Sequence, residues 1–234
     1  MMTNAFEFHH KSAPPYTVIT TAALSPSEAV RTVVSSAFLF PEADRGLSTV
    51  HKQPSSDSHN ISFSKAIRKG EAWNFSVVGS LISSAHTADP LNQAERIVTY
   101  ARFSKDGELL RRHRLAWEKL WESDIVIEGD PLAQKEVRSM LYHLYSFTRE
   151  GTAYSPSPMG LSGLGYNGHV FWDSEMFMMP PLLMLHPELA RPMLEYRFLR
   201  LDEARRNAAA YGFQGAMYPW ESASTGAEDT PATS

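Results

Sequence analysis

The chain has 234 residues, 43% hydrophobic and 21% charged, with a formal net charge of −4 and no cysteine. That length can bury a sizeable core without a disulfide staple, and the mild acidity argues against a general DNA or RNA binder. The missing thiol excludes a disulfide framework, a thiolate metal site and a cysteine nucleophile.

The first residues, MMTNAFEFHHKSAPPYTV, show neither a basic n-region nor an apolar h-region, so no secretory signal is read there; the compartment stays open, with the cytoplasm as default. His9 and His10 are expected in a flexible terminus with no specific role. From Tyr16 to about Ser84 the chain is rich in Thr, Ser, Val and Phe. YTVITTAAL and HNISFSKAI read as strands, and in EAWNFSVVGSLIS the residues Trp73, Phe75 and Val77 alternate with Asn74 and Ser76, the period of a half-buried strand. LSPSEAVRTVV and QPSSDSH are expected to supply turns or a short helix start between them. This region is expected to be antiparallel β, one part of a sandwich.

The pattern changes near Asp89. Asp89 is placed as an N-cap with Pro90 at the first helical position, followed by Leu91, Ala94, Ile97, Val98 and Ala101 on one face. A second helix is expected from about Asp106 to Trp121, with Leu110, the apolar stem of Arg114, Trp117, Leu120 and Trp121 inward. After the extended SDIVIEG, the Asp-Pro start recurs at Asp130 and Pro131, with Val137, Met140, Leu141, Leu144 and Tyr145 inward and Gly151 as terminator. GTAYSPSPMGLSGLGYNG then holds five glycines and two prolines in eighteen residues. A loop of that length inside a compact domain is usually functional or disordered, and Tyr154, Met159, Leu161, Leu164 and Tyr166 argue against a plain solvated linker. The longest apolar run, MFMMPPLLML, is ten residues with two internal prolines, about half a membrane span, and is expected to be core. HPELARPMLEYRFLRLDEARRNAAAYG reads as helix, broken near Leu201 and closed by Gly212, and the tail AEDTPATS is polar and small.

Two segments, FWDSE and PWES, each set a Trp beside a carboxylate. Sugars bind through apolar ring faces on aromatics with carboxylates accepting from hydroxyls, and glycosidic cleavage needs a positioned acid besides. Taken alone, the residues nominate Asp173 or Glu221 as that acid. The competing reading is a core Trp beside an acid, Asp173 or Glu175, that serves a helix N-terminus. His169 reads as a hydrogen-bonded structural residue ahead of a metal ligand or general base, since no His-x-x-x-His or carboxylate spacing accompanies it. LLRRHR reads as a solvated helical face. GLSGLGYNG follows a helix and lacks a Lys-Ser/Thr pair, unlike a nucleotide-binding loop.

SDIVIEGDPLAQKEVRSMLYHLYSF, SPMGLSGLGYNGHVFWDSEMFMMP and GAMYPWESASTGAEDTP resemble, in order and spacing, the middle of glycoside hydrolase family 65, from about Asp124 to Pro231. That group contains maltose, trehalose and kojibiose phosphorylases and inverting α-glucoside hydrolases. The resemblance implies an α+β multidomain fold: a partial N-terminal β-sandwich at 1–88, linker helices at 89–150 and, at 151–234, the first helices of an (α/α)6 barrel. It implies that Trp172 and Asp173 line the subsite for the glucosyl ring, with Trp220 and Glu221 near the same pocket, so that Asp173 is a clamp and not the proton donor. Ser174 stands where many members have Thr, which offers the same hydroxyl.

The family's general acid lies in a later barrel segment. The chain is therefore expected to be part of a longer enzyme, with no catalytic residue of its own, no useful turnover, and apolar surface that favours self-association. The resemblance implies an α-glucosyl disaccharide such as kojibiose or trehalose as substrate, and inorganic phosphate only for a phosphorylase. It implies no cofactor, no metal, no nucleic acid and no membrane partner. A hydrolase is favoured, with a phosphorylase and a non-catalytic carbohydrate-binding protein as the alternatives.

Overall fold

The computed structural model describes residues 7–13, 16–25, 28–44, 47, 49–55, 58–104, 107–161, 163 and 165–231. The chain divides into two units, residues 1–112 and 113–234. Together they are a mixed α+β structure of small antiparallel sheets and helices.

In the first unit β1 (Glu7–Ala13), β2 (Tyr16–Leu24), β3 (Arg31–Leu39) and β6 (Ser76–Ser83) form an antiparallel sheet in that order, and β4 (Thr49–Ser55) pairs with β5 (Ser58–Phe63) as a hairpin. Period-two alternation turns Thr20 and Ala22 of β2 and Val33, Ser35 and Ala37 of β3 to one buried face. That face packs on α1 (Pro90–Phe103): Ala22, Val33 and Ala94 make one apolar cluster, and Thr20 Oγ1 donates to Glu95 Oε1 at 3.2 Å. The opposite face leaves Val34, Val77 and Leu81 exposed. Helix α1 begins where the sequence places it, with the Asp89 side chain accepting from Asn92 N–H.

Four expectations change here. The end of LSPSEAVRTVV, read as a turn or short helix start, is the beginning of strand β3. The segment with His9 and His10, read as a flexible terminus, is strand β1, paired along its length with β2. Trp73 and Phe75, read as strand, lie before β6; they join Phe38, Phe40 and Phe63 in an aromatic cluster, with Trp73 Nε1–H donating to Asp44 Oδ2 at 3.1 Å. Their alternation served packing between rings and no ladder. QPSSDSH is mostly strand, split between β4 and β5, with a register shift after Lys52 where Pro54 cannot donate to the ladder; residues 56 and 57, between the strands, lie outside the described residues.

In the second unit, α3 (Pro131–Phe147) starts on Asp130, whose side chain accepts from Leu132 and Ala133 N–H. Its stripe of Val137, Leu141, Leu144 and Tyr145 packs with Leu182 of α4 (Met179–Leu185) and Leu189, Ala190 and Met193 of α5 (Pro187–Phe198). Trp117, Leu120 and Trp121, at and just past the end of α2 (Glu108–Leu120), close this core. Burial raises the Tyr145 phenol above its usual value, the nearby Asp124 adding to the effect, and its O–H donates to Ser123 O at 3.1 Å. His186, between α4 and α5, donates from Nε2 to Leu120 O at 2.8 Å. Helix α6 (Leu201–Ala210) follows, ending before Gly212.

Leu110, Arg114 and Met140, expected inward, are exposed: Met140 sits at the edge of the α3 stripe, and α2 buries no residue fully. MFMMPPLLML is core only in part, since Leu182 is fully buried while Met184 is 86% exposed. Asp106, the expected start of the second helix, and Leu164, one of the apolar members of the glycine-rich loop, lie outside the described residues. Leu182→Ala removes the most enclosed aliphatic side chain of this core and is expected to cost about 2–5 kcal/mol, read as a lower urea midpoint at unchanged slope.

Candidate functional site

The glycine-rich stretch ends in a tight turn, Gly165–Gly168, in which Tyr166 and Asn167 take left-handed backbone angles (φ 54° and 53°). Non-glycine residues rarely adopt that region. Here it folds Tyr166 back so that its ring meets Phe171 edge-on at 5.1 Å, and His169 N–H donates to Tyr166 O at 2.8 Å. The chain then runs as a two-residue strand, β7 (Val170–Phe171), paired with β8 (Glu221–Ser222) in the register Val170 to Ser222 and Phe171 to Glu221. This ladder brings the two sequence-read clusters together.

Trp172 and Trp220 sit side by side at the β7 and β8 ends, 43% and 47% exposed, their rings edge-to-face at 5.4 Å and 76°. Asp173 follows Trp172 at the start of a π-helical turn, Ser174–Met178. Ser174 is fully buried and donates to Pro156 O at 2.7 Å, so the hydroxyl that the sequence could not assign ties the glycine-rich loop to this turn.

The carboxylates around the indoles have different employments. Glu221 is 6% exposed, and His169 Nδ1–H donates to its Oε1 at 2.7 Å. Glu175 takes a two-point ion pair from Arg197, at 3.0 and 2.8 Å. Glu228 accepts from Trp220 N–H at 3.0 Å and Glu221 N–H at 3.4 Å, and Asp229 from Ala223 N–H at 3.0 Å. Asp173 is half-buried, and among the described residues its carboxylate has no hydrogen-bond partner. A concavity of about 730 Å³ opens beside Trp172, walled also by Met176, Leu194, Phe198, Met217 and Tyr218 and by the Glu175–Arg197 pair; Asp173 and Trp220 lie outside its lining. Among the described residues no group of three or more His, Asp or Glu is placed to hold a metal.

Residues 138–234 match the family model of the glycosyl hydrolase family 65 central catalytic domain. The chain is 54% identical over 215 residues to a kojibiose hydrolase of Flavobacterium johnsoniae, covering 92% of this chain and 32% of that protein. The chain belongs to glycoside hydrolase family 65. A kojibiose phosphorylase of Caldanaerobacter subterraneus is 50% identical over 126 residues, 53% of this chain and 16% of that protein. A solved structure from the human microbiome, 18% identical, covers 95% of this chain and 29% of its own with a TM-score of 0.71, so the fold is shared. The chain spans about a third of the length of the hydrolase relatives that it matches.

Within this family-65 chain the sequence reading missed Arg197 and Glu228, and it took Glu175 only as an acid at a helix N-terminus, without its arginine partner. Arg197 had a visible signal: it falls on the buried face of α5 with Ala190 and Met193, where a charge needs a partner. Glu228 lay in a tail read only as polar and small. Burial alone would raise its carboxyl, but hydrogen bonds from Thr230 Oγ1–H and from the N–H groups of Trp220, Glu221 and Thr230 hold it below its usual value. A lowered carboxyl contributes stability that is present above the unfolded value, about 4.3, and is lost as pH falls through the folded one. Glu228→Gln is therefore expected to cost about 1 kcal/mol at pH 7 and to shrink the acid limb of the stability profile below about pH 4. Urea unfolding at stepped pH reads both.

Proposed function

We propose that this chain is part of an α-glucoside-processing enzyme, an inverting glycosidase acting on an α-linked glucose disaccharide such as kojibiose or trehalose. In this reading Trp172 and Trp220 offer an apolar ledge to the glucosyl ring, and the Asp173 carboxylate accepts from its hydroxyls. Glu221 is the deeper member of the wall, with Oε1 held by His169 and Oε2 without a partner among the described residues. The observation that carries the proposal is the contrast among the carboxylates: Asp173 alone of those around the indoles has no protein partner among the described residues.

The same contrast supports assigning the proton donor outside residues 1–234. Glu175, Glu221 and Glu228 are engaged in holding backbone and side chains, which leaves Asp173 as the one carboxylate around the indoles without a protein partner among the described residues, whereas inversion needs two. In inversion an acid protonates the leaving oxygen while water, or phosphate in a phosphorylase, attacks the anomeric carbon from the opposite face. Hydrolysis is preferred because the kojibiose hydrolase relative aligns over 92% of this chain and the phosphorylase over 53%. The domain reading fits the same proposal: residues 1–88 as part of an N-terminal β-sandwich, 89–150 as linker helices and 151–234 as the opening helices of an (α/α)6 barrel.

Titration of the chain with glucose and kojibiose, followed by Trp fluorescence, tests the reading. Saturable quenching or enhancement is expected, with no release of glucose from kojibiose. Glucose release at ordinary enzymatic rates would place the acid inside this chain and overturn its assignment.

A further inference from the structure

We propose that Arg197 is the positioning residue that sets the angle at which Trp172 and Asp173 are presented, an inference that rests on the reading of these residues as a sugar wall. The guanidinium grips both sides of the dipeptide. On one side Nη2–H donates to Phe171 O at 3.1 Å, the carbonyl directly before Trp172. On the other, Nε–H and Nη2–H donate to Glu175 Oε1 and Oε2 at 3.0 and 2.8 Å, inside the π-helical turn that follows Asp173. Nη1–H reaches Ser222 Oγ at 3.4 Å, two residues beyond Trp220. One buried side chain thus spans the segments carrying both indoles.

The geometry requires an arginine. A planar fork supplies parallel donors to a carboxylate and still has N–H groups for a carbonyl and a hydroxyl, whereas a lysine ammonium is a point charge that cannot match that spread. The helix that carries Arg197 is itself fixed to β8. Tyr196 O–H contacts Ala223 O at 2.6 Å and Ser222 Oγ at 3.0 Å, and Tyr218 O–H donates to Arg197 O at 3.1 Å. The fork is therefore held from behind while it holds the dipeptide in front. Neither Arg197 nor Glu175 hydrogen-bonds to the Asp173 carboxylate, so they act on it through the backbone on either side of Trp172.

The edge-to-face indoles provide a readout separate from stability. Two indoles this close give an exciton couplet in the far-ultraviolet circular dichroism spectrum, and subtraction of the Trp220→Phe spectrum isolates it. In Arg197→Lys the couplet is expected to fall at least about twofold, because the fork no longer spans both segments. Glucose affinity is expected to fall on the order of tenfold, the equivalent of one sugar hydrogen bond to a carboxylate. The helical signal stays in place. A couplet and an affinity equal to the parent chain's in Arg197→Lys overturn the proposal. If Arg197→Lys does not fold, Glu175→Gln replaces it, with a weakened couplet in support and an unchanged one against. If the parent chain binds no glucose, the sugar reading falls, and the couplet alone decides the role of Arg197.

Discussion

Asp173→Ala is expected to weaken glucose binding by about a hundredfold while leaving the fold as stable as before. Two hydrogen bonds from sugar hydroxyls to a carboxylate, each worth about 1.5 kcal/mol net, give a factor of that size. The stability half of the expectation follows from the structure. The carboxylate has no partner among the described residues, so its removal leaves no donor unsatisfied, and the change in unfolding free energy should stay within about 0.5 kcal/mol. Trp172→Ala should weaken binding as well, but a half-exposed indole in contact with Trp220 also contributes to packing, so stability falls with it. Loss of affinity without loss of stability is the mark that separates Asp173 from a structural acid. Isothermal titration and urea unfolding on the same preparations measure both.

Glu175→Ala should do the reverse. Two residues along the same motif, this carboxylate neutralises a guanidinium that is itself buried. Removing it leaves the Arg197 charge without its carboxylate at the wall of the concavity, at a cost of about 3 kcal/mol, the low end for a broken buried pair because water reaches that wall. Arg197→Met in the same background should recover part of that loss, because an apolar side chain does not need the missing partner. A double-mutant cycle therefore gives a coupling of opposite character to anything involving Asp173. If Glu175→Ala unfolds at the same urea concentration as the parent chain, the ion pair does not hold the turn.

Much of the helical structure was legible because its signals are local. Asp89-Pro90 and Asp130-Pro131 announce helix starts by capping chemistry within three residues, and both starts stand where the sequence puts them. Strand β2 matches its reading residue for residue. Strand β1 was not legible: EFHHKSA lacks a clean alternation, and an edge strand paired on one side only needs less of it. The Trp73 and Phe75 alternation misled because ring clusters can use the same spacing as a ladder.

At the candidate site the sequence pointed to FWDSE and PWES but could not divide their carboxylates by role. That division depends on contacts between residues far apart in the chain. His169 meets Glu221 across 52 positions, and Arg197 meets Glu175 across 22. Register between β7 and β8 sets Phe171 opposite Glu221, a pairing that neither segment states by itself. The exposed part of MFMMPPLLML was illegible for a related reason: apolarity shows that a residue tends to be covered, and says nothing of which neighbour covers it.

The most direct measurement is a crystal structure of this chain grown with saturating glucose. The account predicts a sugar with hydroxyls about 2.7–3.0 Å from the Asp173 oxygens and one apolar face against the Trp172 indole. A sugar bound elsewhere, or an Asp173 side chain turned into a protein contact with no sugar beside it, would contradict the account.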